Sequence, residues 1–184
     1  MTSGFKTQIN GKPTYFVEKI WKSLYIENHL VTTRLSYHSF KWKYFKKFGK
    51  CWEESPTGYK PKLHTLISDP HNRWKVGNKI HFVINKGTPQ QFQFAPVAEC
   101  LGLQPVSIIY NDGDPGVFFG DSHESEMPFY FKDWDEKTKD FVTYGENQML
   151  KMANNDGFDS IDDFFAYFNQ DFRGKIIHWT NLKY

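Results

Sequence analysis

The chain has 184 residues, with 23 Lys or Arg against 21 Asp or Glu and a formal net charge of +2. A length in this range fits one domain, since a single core commonly serves roughly 100 to 200 residues, and the near balance of charge excludes binding to nucleic acid through global basicity alone. Mean hydropathy is −0.63, yet 18% of the residues are aromatic and bury large areas per side chain, which excludes a disordered polymer.

Residues 1–10 have no apolar stretch of signal-peptide type and no later run approaches a membrane-spanning length, so a cytoplasmic protein with no membrane partner is expected. Cys51 and Cys100 lack a CxxC spacing and read as two thiols in a reducing compartment.

Asn10-Gly11 marks a turn, after which Thr14 can cap a helix and Glu18 stands in its first turn. Phe16, Ile20, Trp21 and Leu24 recur at helical spacing, so 15–27 is predicted as a helix with one core-facing side. A second helix is predicted over 33–50, ended by Gly49. Its stripe of Tyr37, Phe40, Tyr44 and Phe48 reads first as core. Arg34, Lys41, Lys43, Lys46, Lys47 and Lys50 have no acid among them, and lysines interleaved with aromatics suit contact with phosphates and stacking on bases.

Residues 51–61, with Pro56, Gly58 and Pro61, read as a loop that delivers Lys62. Lys62 and Thr65 stand three residues apart, so an amine and a hydroxyl can converge on one ligand. In the loop entering the next strand, Arg73 and Lys75 can hold phosphate, while Trp74 either stacks on a base or plugs one end of the sheet. Alternation of Ile80, Phe82 and Ile84 with His81, Val83 and Asn85 predicts a strand over 79–85. Lys86-Gly87-Thr88-Pro89 then turns the chain into 92–100, and 106–110 follows as a further strand. Short strands joined by tight turns indicate a mixed or antiparallel sheet able to close as a barrel.

Periodicity fades over 111–146, apart from a turn at 112–116 and a short strand at 129–131. A short helix is predicted over 147–155, and Ser160 caps another over 161–168 that turns Ile161, Phe164, Phe165 and Phe168 inward. Gly174 opens a final strand over 175–183. The expected class is α+β, one domain over 1–184 with a helical extension at about 14–50 and an irregular insertion at about 111–146.

No metal or cofactor is expected. His64, His81 and His178 lack the pairing of a zinc site, and Asp112-Gly113-Asp114 lacks the other oxygen ligands of a calcium loop. Gly113, Gly116 and Gly120 do not make a phosphate-cradling turn between strand and helix.

The order of an N-terminal helix, Lys62-Leu63-His64-Thr65, the strands after Asn72, and a closing stretch from Asn154-Asn155-Asp156-Gly157-Phe158 to Tyr184 resembles the ASCH domains of the PUA-like superfamily. The resemblance covers about 15–184, apart from about 112–146. The family pattern reads Gly, any, Lys, any, any, Thr, any, Arg. Lys62 and Thr65 match it, whereas Lys60 takes the glycine position and Ile67 the arginine position, which removes a bidentate donor.

The resemblance implies a PUA-like (ASCH) mixed β-barrel flanked by helices, with RNA, single-stranded nucleic acid or a modified nucleoside or nucleotide as partner. In hydrolytic members acting on acylated cytidine a glutamate completes the site, and by register Asp156 takes its place. The implied roles are Thr65 as nucleophile on an amide carbonyl, Lys62 as a base whose pKa burial lowers, and Asp156 as the group that orients the lysine or protonates the leaving amine. Two classes are therefore expected, a module that pockets a nucleobase and holds the backbone on the basic segment, and a hydrolase of a modified nucleoside or of RNA. A third is an interaction protein that sequesters a nucleotide or blocks a host factor.

Overall fold

Turn chemistry and strand pairing set the layout of the N-terminal half. β1 (Thr2–Phe5) leads into the hairpin of β2 (Gln8–Ile9) and β3 (Lys12–Pro13), turned by Asn10 and Gly11 at φ 49° and 76°. The computed structural model describes residues 1–27, 34–51, 58–120 and 128–184; the side chains of 26, 27, 34 and 35 also lie outside the description. α1 (Phe16–Glu27) and α2 (Arg34–Phe48) follow, so Thr33, expected at the start of the second helix, lies outside the described residues, as does Pro56 of the loop.

Next come β4 (His64–Ile67), β5 (Lys79–Ile84), β6 (Phe92–Gln93), β7 (Ala98–Glu99), β8 (Gly102–Asn111) and β9 (Asp114–Phe119). The chain closes with β10 (Phe131–Asp135), β11 (Asp140–Tyr144), α3 (Glu146–Asn155), α4 (Ile161–Tyr167) and β12 (Phe172–His178).

The fold is mixed α+β, and its described strands form two four-stranded sheets and the two hairpins β2-β3 and β10-β11. In the first, β1 runs parallel to β5 with Thr2 opposite His81 and Phe5 opposite Ile84, while β6 and β7 pair β5 antiparallel. The second has the order β4-β12-β8-β9, antiparallel throughout, with Thr65 opposite Ile177 and His64 opposite His178. Closure of the strands into one barrel is not seen among the described pairings. The stretch 92–100, expected as one strand, yields only β6 and β7, because Pro96 has no N–H to continue a ladder. β1 and β4 are therefore each left at the end of a sheet.

The described residues of 111–146 are more regular than the periodicity of that stretch suggested. Asp112 and Gly113, at φ 49° and 90°, close the hairpin of β8 and β9. The hairpin of β10 and β11 carries cross-strand aromatic pairs, Phe131 on Tyr144 at 4.7 Å and Trp134 on Phe141 at 5.3 Å. Phe131 and Trp134 lie on opposite faces of β10, so no period of two survives in the sequence.

α1 buries Phe16, Ile20, Trp21 and Leu24 as expected, and the Trp21 indole N–H donates to the Phe94 carbonyl at 2.9 Å. α2 lays Tyr44 into the core with Tyr37, Phe40 and Phe48 packed against it. The Ser160 hydroxyl accepts the Asp163 N–H at 3.0 Å and starts α4, whose Phe164 is fully buried. The last strand starts at Phe172, before Gly174, since its pairing with β8 extends to Ile108. No helix among the described residues is long and apolar enough to cross a membrane.

Candidate functional site

The approach to β4 is threaded between two helices. The Lys62 N–H donates to the Lys19 carbonyl of α1 at 3.0 Å, and the Leu63 N–H donates to the Asn155 carbonyl at the end of α3 at 2.7 Å. α3 stops at Asp156, whose N–H still bonds back to Met152, and Gly157 reverses the chain at φ 91°. A Cβ on Gly157 would lie 2.9 Å from the Phe16 ring and 3.1 Å from the Lys62 side chain, so glycine alone lets this turn press Asp156 onto Lys62.

The outcome is a buried ion pair. Lys62 Nζ donates to Asp156 Oδ1 at 2.6 Å and to the Asp156 carbonyl, with the two residues only 1% and 2% exposed. The Phe16 ring centroid lies 4.6 Å from the ammonium. Asp156 also accepts the N–H of Leu66, a residue on the side of β4 that no strand covers. Burial lowers the Lys62 pKa against the pull of Asp156, and burial raises that of Asp156 to about 6 against the pull of Lys62. The pair thus stands nearer to passing its proton than an exposed pair would.

Lys62, Thr65 and Asp156 line one cavity of about 620 Å³ between the ends of the two sheets, with β1 on one side and β4 on the other. Phe5, Phe16, Phe158 and Phe172 supply apolar wall. The hydroxyl of Thr65, half-buried on β4, has no hydrogen-bond partner among the described residues. Ile67 lines the cavity too, so this part of the wall is alkyl, and Lys60 is exposed. A second hollow of about 190 Å³ shares Thr7, Gln8 and Phe16 with the first and reaches Tyr44 and Lys50 at the end of α2.

Lys43, Lys46 and Lys47 are exposed on α2 and Lys41 is half-buried, while the Arg34 side chain lies outside the described residues. Lys47 is tied to the Gln91 carbonyl at 2.7 Å. Sequence reasoning missed the aromatics of the outer face: Trp42 and Phe45 are 57% and 42% exposed and stack at 5.7 Å, with Lys46 Nζ 5.1 Å from the Trp42 ring. Their spacing of three was the available signal, masked by the inner stripe of Tyr37, Phe40, Tyr44 and Phe48.

Arg73 and Lys75 are exposed, but Trp74 is 4% exposed and belongs to the core. That corrects its candidacy as a base platform, because neither face of the indole is open. Asp69 explains the placement, accepting the N–H groups of Arg73 and Trp74 at 2.9 Å each and drawing the loop inward.

Lys19 was also missed. It is buried on the inner side of α1 and donates to the Gly157 carbonyl at 2.7 Å and to Asp159 at 2.8 Å, bracing the turn that carries Asp156. A lysine one place before Ile20, within an apolar face, was the mark it left in the sequence.

Behind the cavity, His64 and His178 face each other across β4 and β12 with ring centroids 5.4 Å apart, both fully buried. Tyr184 Oη lies 3.3 Å from His64 Nδ1 and accepts from Asn155 at 2.8 Å. His64 Nε2 and both His178 ring nitrogens have no partner among the described residues. Burial takes the His178 pKa down to about 4 and that of His64 well below its usual value, so both rings are neutral at pH 7.

No three His, Cys, Asp or Glu side chains converge as a metal site among the described residues. Against known proteins, the chain matches no family model, no curated protein and no solved structure.

Proposed function

We propose that this protein binds a nucleobase, as part of RNA or of a modified nucleoside, in the cavity at Lys62 and Asp156, and that its two sheets are an opened PUA-like arrangement of ASCH type. The observation that carries the reading is the buried Lys62–Asp156 pair opening onto a roomy cavity with Thr65 on the same wall. A planar heterocycle needs apolar faces to stack on and a few fixed polar groups at its edge. Phe5, Phe16 and Phe158 supply the first, and the Thr65 hydroxyl with the remaining Lys62 N–H supply the second.

The outer face of α2 supports the extension to a single strand. Trp42 and Phe45 offer stacking surface, and Lys43 and Lys46 offer charge to phosphates. Labelled single-stranded RNA titrated at several salt concentrations tests both halves. Reversing Lys43 and Lys46 to Glu with Trp42→Ala is expected to weaken binding and flatten the salt dependence, by roughly 0.7 in slope per lost contact. Binding that ignores these changes removes α2 from the account, and binding that also survives Lys62→Met/Asp156→Leu removes the cavity.

One observation favours hydrolysis as a second reading. Burial pushes the Lys62 amine toward neutrality, while Thr65 lines the same cavity and its hydroxyl has no hydrogen-bond partner among the described residues. In that reaction the Thr65 oxygen bonds to an amide carbonyl carbon as Lys62 takes the hydroxyl proton. The C–N bond then breaks with that proton delivered to the leaving amine, and water hydrolyses the Thr65 ester. Incubation with acylated cytidine should show release of free cytidine by the native protein and none by Thr65→Val; no release by either, or equal release by both, rejects the step.

A further inference from the structure

We propose that the ligand of this cavity is phosphorylated, and that Lys6 and Lys86 seat its phosphate at the mouth. The inference rests on the nucleobase reading above and adds the charge state of the ligand. The charged residues lining the cavity are Lys6, Lys62, Lys86 and Asp156. Lys62 and Asp156 neutralise each other at 2.6 Å, which leaves Lys6 and Lys86 as the cavity lining's net charge.

Both lysines emerge at the same end of neighbouring strands. Lys6 follows β1 and Lys86 lies just beyond β5, and these strands run parallel with Phe5 opposite Ile84. Both residues are exposed, and each touches a neighbour in the fold. Lys6 Nζ lies 5.0 Å from the Tyr167 ring centroid, and Tyr167 itself lines the cavity. Lys86 sits in a turn between Asn85 at φ 52° and Gly87 at φ 79°, and its stem crosses β1 at Gly4, where a Cβ would come within 2.8 Å of it.

Neither ammonium meets a carboxylate among the described residues, although Lys19, Lys79, Lys132, Lys139 and Lys175 all do. Two exposed cations with no carboxylate partner among the described residues, beside an aromatic-walled cavity, suit a dianion carried on a heterocycle. Thr7, Gln8 and Asn85 border the same cavity and can donate hydrogen bonds to phosphate oxygens.

Calorimetric titration with the four ribonucleosides, their 5′-monophosphates and inorganic phosphate tests this at low and moderate salt. For the base that binds, the monophosphate is expected to bind about tenfold more tightly than the nucleoside at low salt, with the advantage shrinking as salt rises. In Lys6→Gln/Lys86→Gln the ratio between nucleotide and nucleoside should fall to about one. A nucleoside that binds as tightly as its monophosphate, or a ratio unchanged in the double variant, overturns the phosphate seat and leaves the nucleobase reading standing. Absence of binding by every nucleoside and nucleotide overturns both.

Discussion

Lys62 and His64 are two residues apart on one segment and both are buried, yet the chain treats them in opposite ways. Lys62 is given a carboxylate at 2.6 Å and a place on the wall of a cavity, whereas His64 packs at a tilt against His178 in a buried layer where three ring nitrogens have no partner among the described residues. The difference follows from charge. An imidazole sheds its proton when buried and then leaves only modest unmet hydrogen bonding, but an ammonium and a carboxylate resist burial unless each has the other. Such a pair is kept beside an open cavity, although an apolar pair would hold the fold as well, and the proposed ligand site is built on that contrast.

The largest expected effect breaks the pair. Lys62→Met leaves Asp156 buried without a counter-charge and should lower stability by about 3–5 kcal/mol in urea denaturation, while Lys62→Met/Asp156→Leu should recover most of the loss. The deficit of the single variant should also depend on pH. Lys62 holds the Asp156 pKa down, so its removal lifts that value above about 6. A folded pKa above the unfolded one stabilises the protonated protein at low pH and loses that contribution as pH rises through the folded value. The deficit should therefore grow from about pH 5 to about pH 8; a flat deficit would mean that the carboxylate finds another partner.

A smaller effect is expected at the turn. Gly157→Ala must hold φ 91° and push aside Phe16 and Lys62, for a loss of about 1–3 kcal/mol together with weakened ligand binding. Loss of stability with unchanged binding would detach the turn from the site. The smallest effect belongs to the histidine layer. His178→Leu removes two nitrogens that have no partner among the described residues and should change stability by no more than about 1 kcal/mol in either direction, because no hydrogen bond between described residues is broken. A loss of several kcal/mol would show that these nitrogens are bonded after all, and would erase the contrast with Lys62.

The same contrast marks what the sequence made legible. Lys62 and Thr65 stood out from their spacing, because short-range patterns survive in one dimension, whereas the partner of Lys62, Asp156, lies 94 residues on and no local pattern pairs the two. The ends of α1, α3 and α4 were readable for the same reason. β1 was not: Thr2-Ser3-Gly4-Phe5 has no apolar run, and it becomes a strand only by lying parallel to β5, nearly eighty residues away. Lys19 was hidden because its meaning depends on Gly157 and Asp159 across the fold. Trp74 was ambiguous until Asp69 turned its loop inward, and Trp42 and Phe45 were obscured by the better-placed stripe on the opposite side of α2.

Amide chemical shifts followed during titration with ribonucleosides and their monophosphates test the central claim most directly. The account expects the signals of Gly4, Thr65, Leu66 and Phe158 around the cavity to move in a saturable way, while those of Gly102 and His178 in the closed layer stay in place. Shifts confined to α2 or to the histidine layer, or no shifts at all with a folded protein, would contradict it.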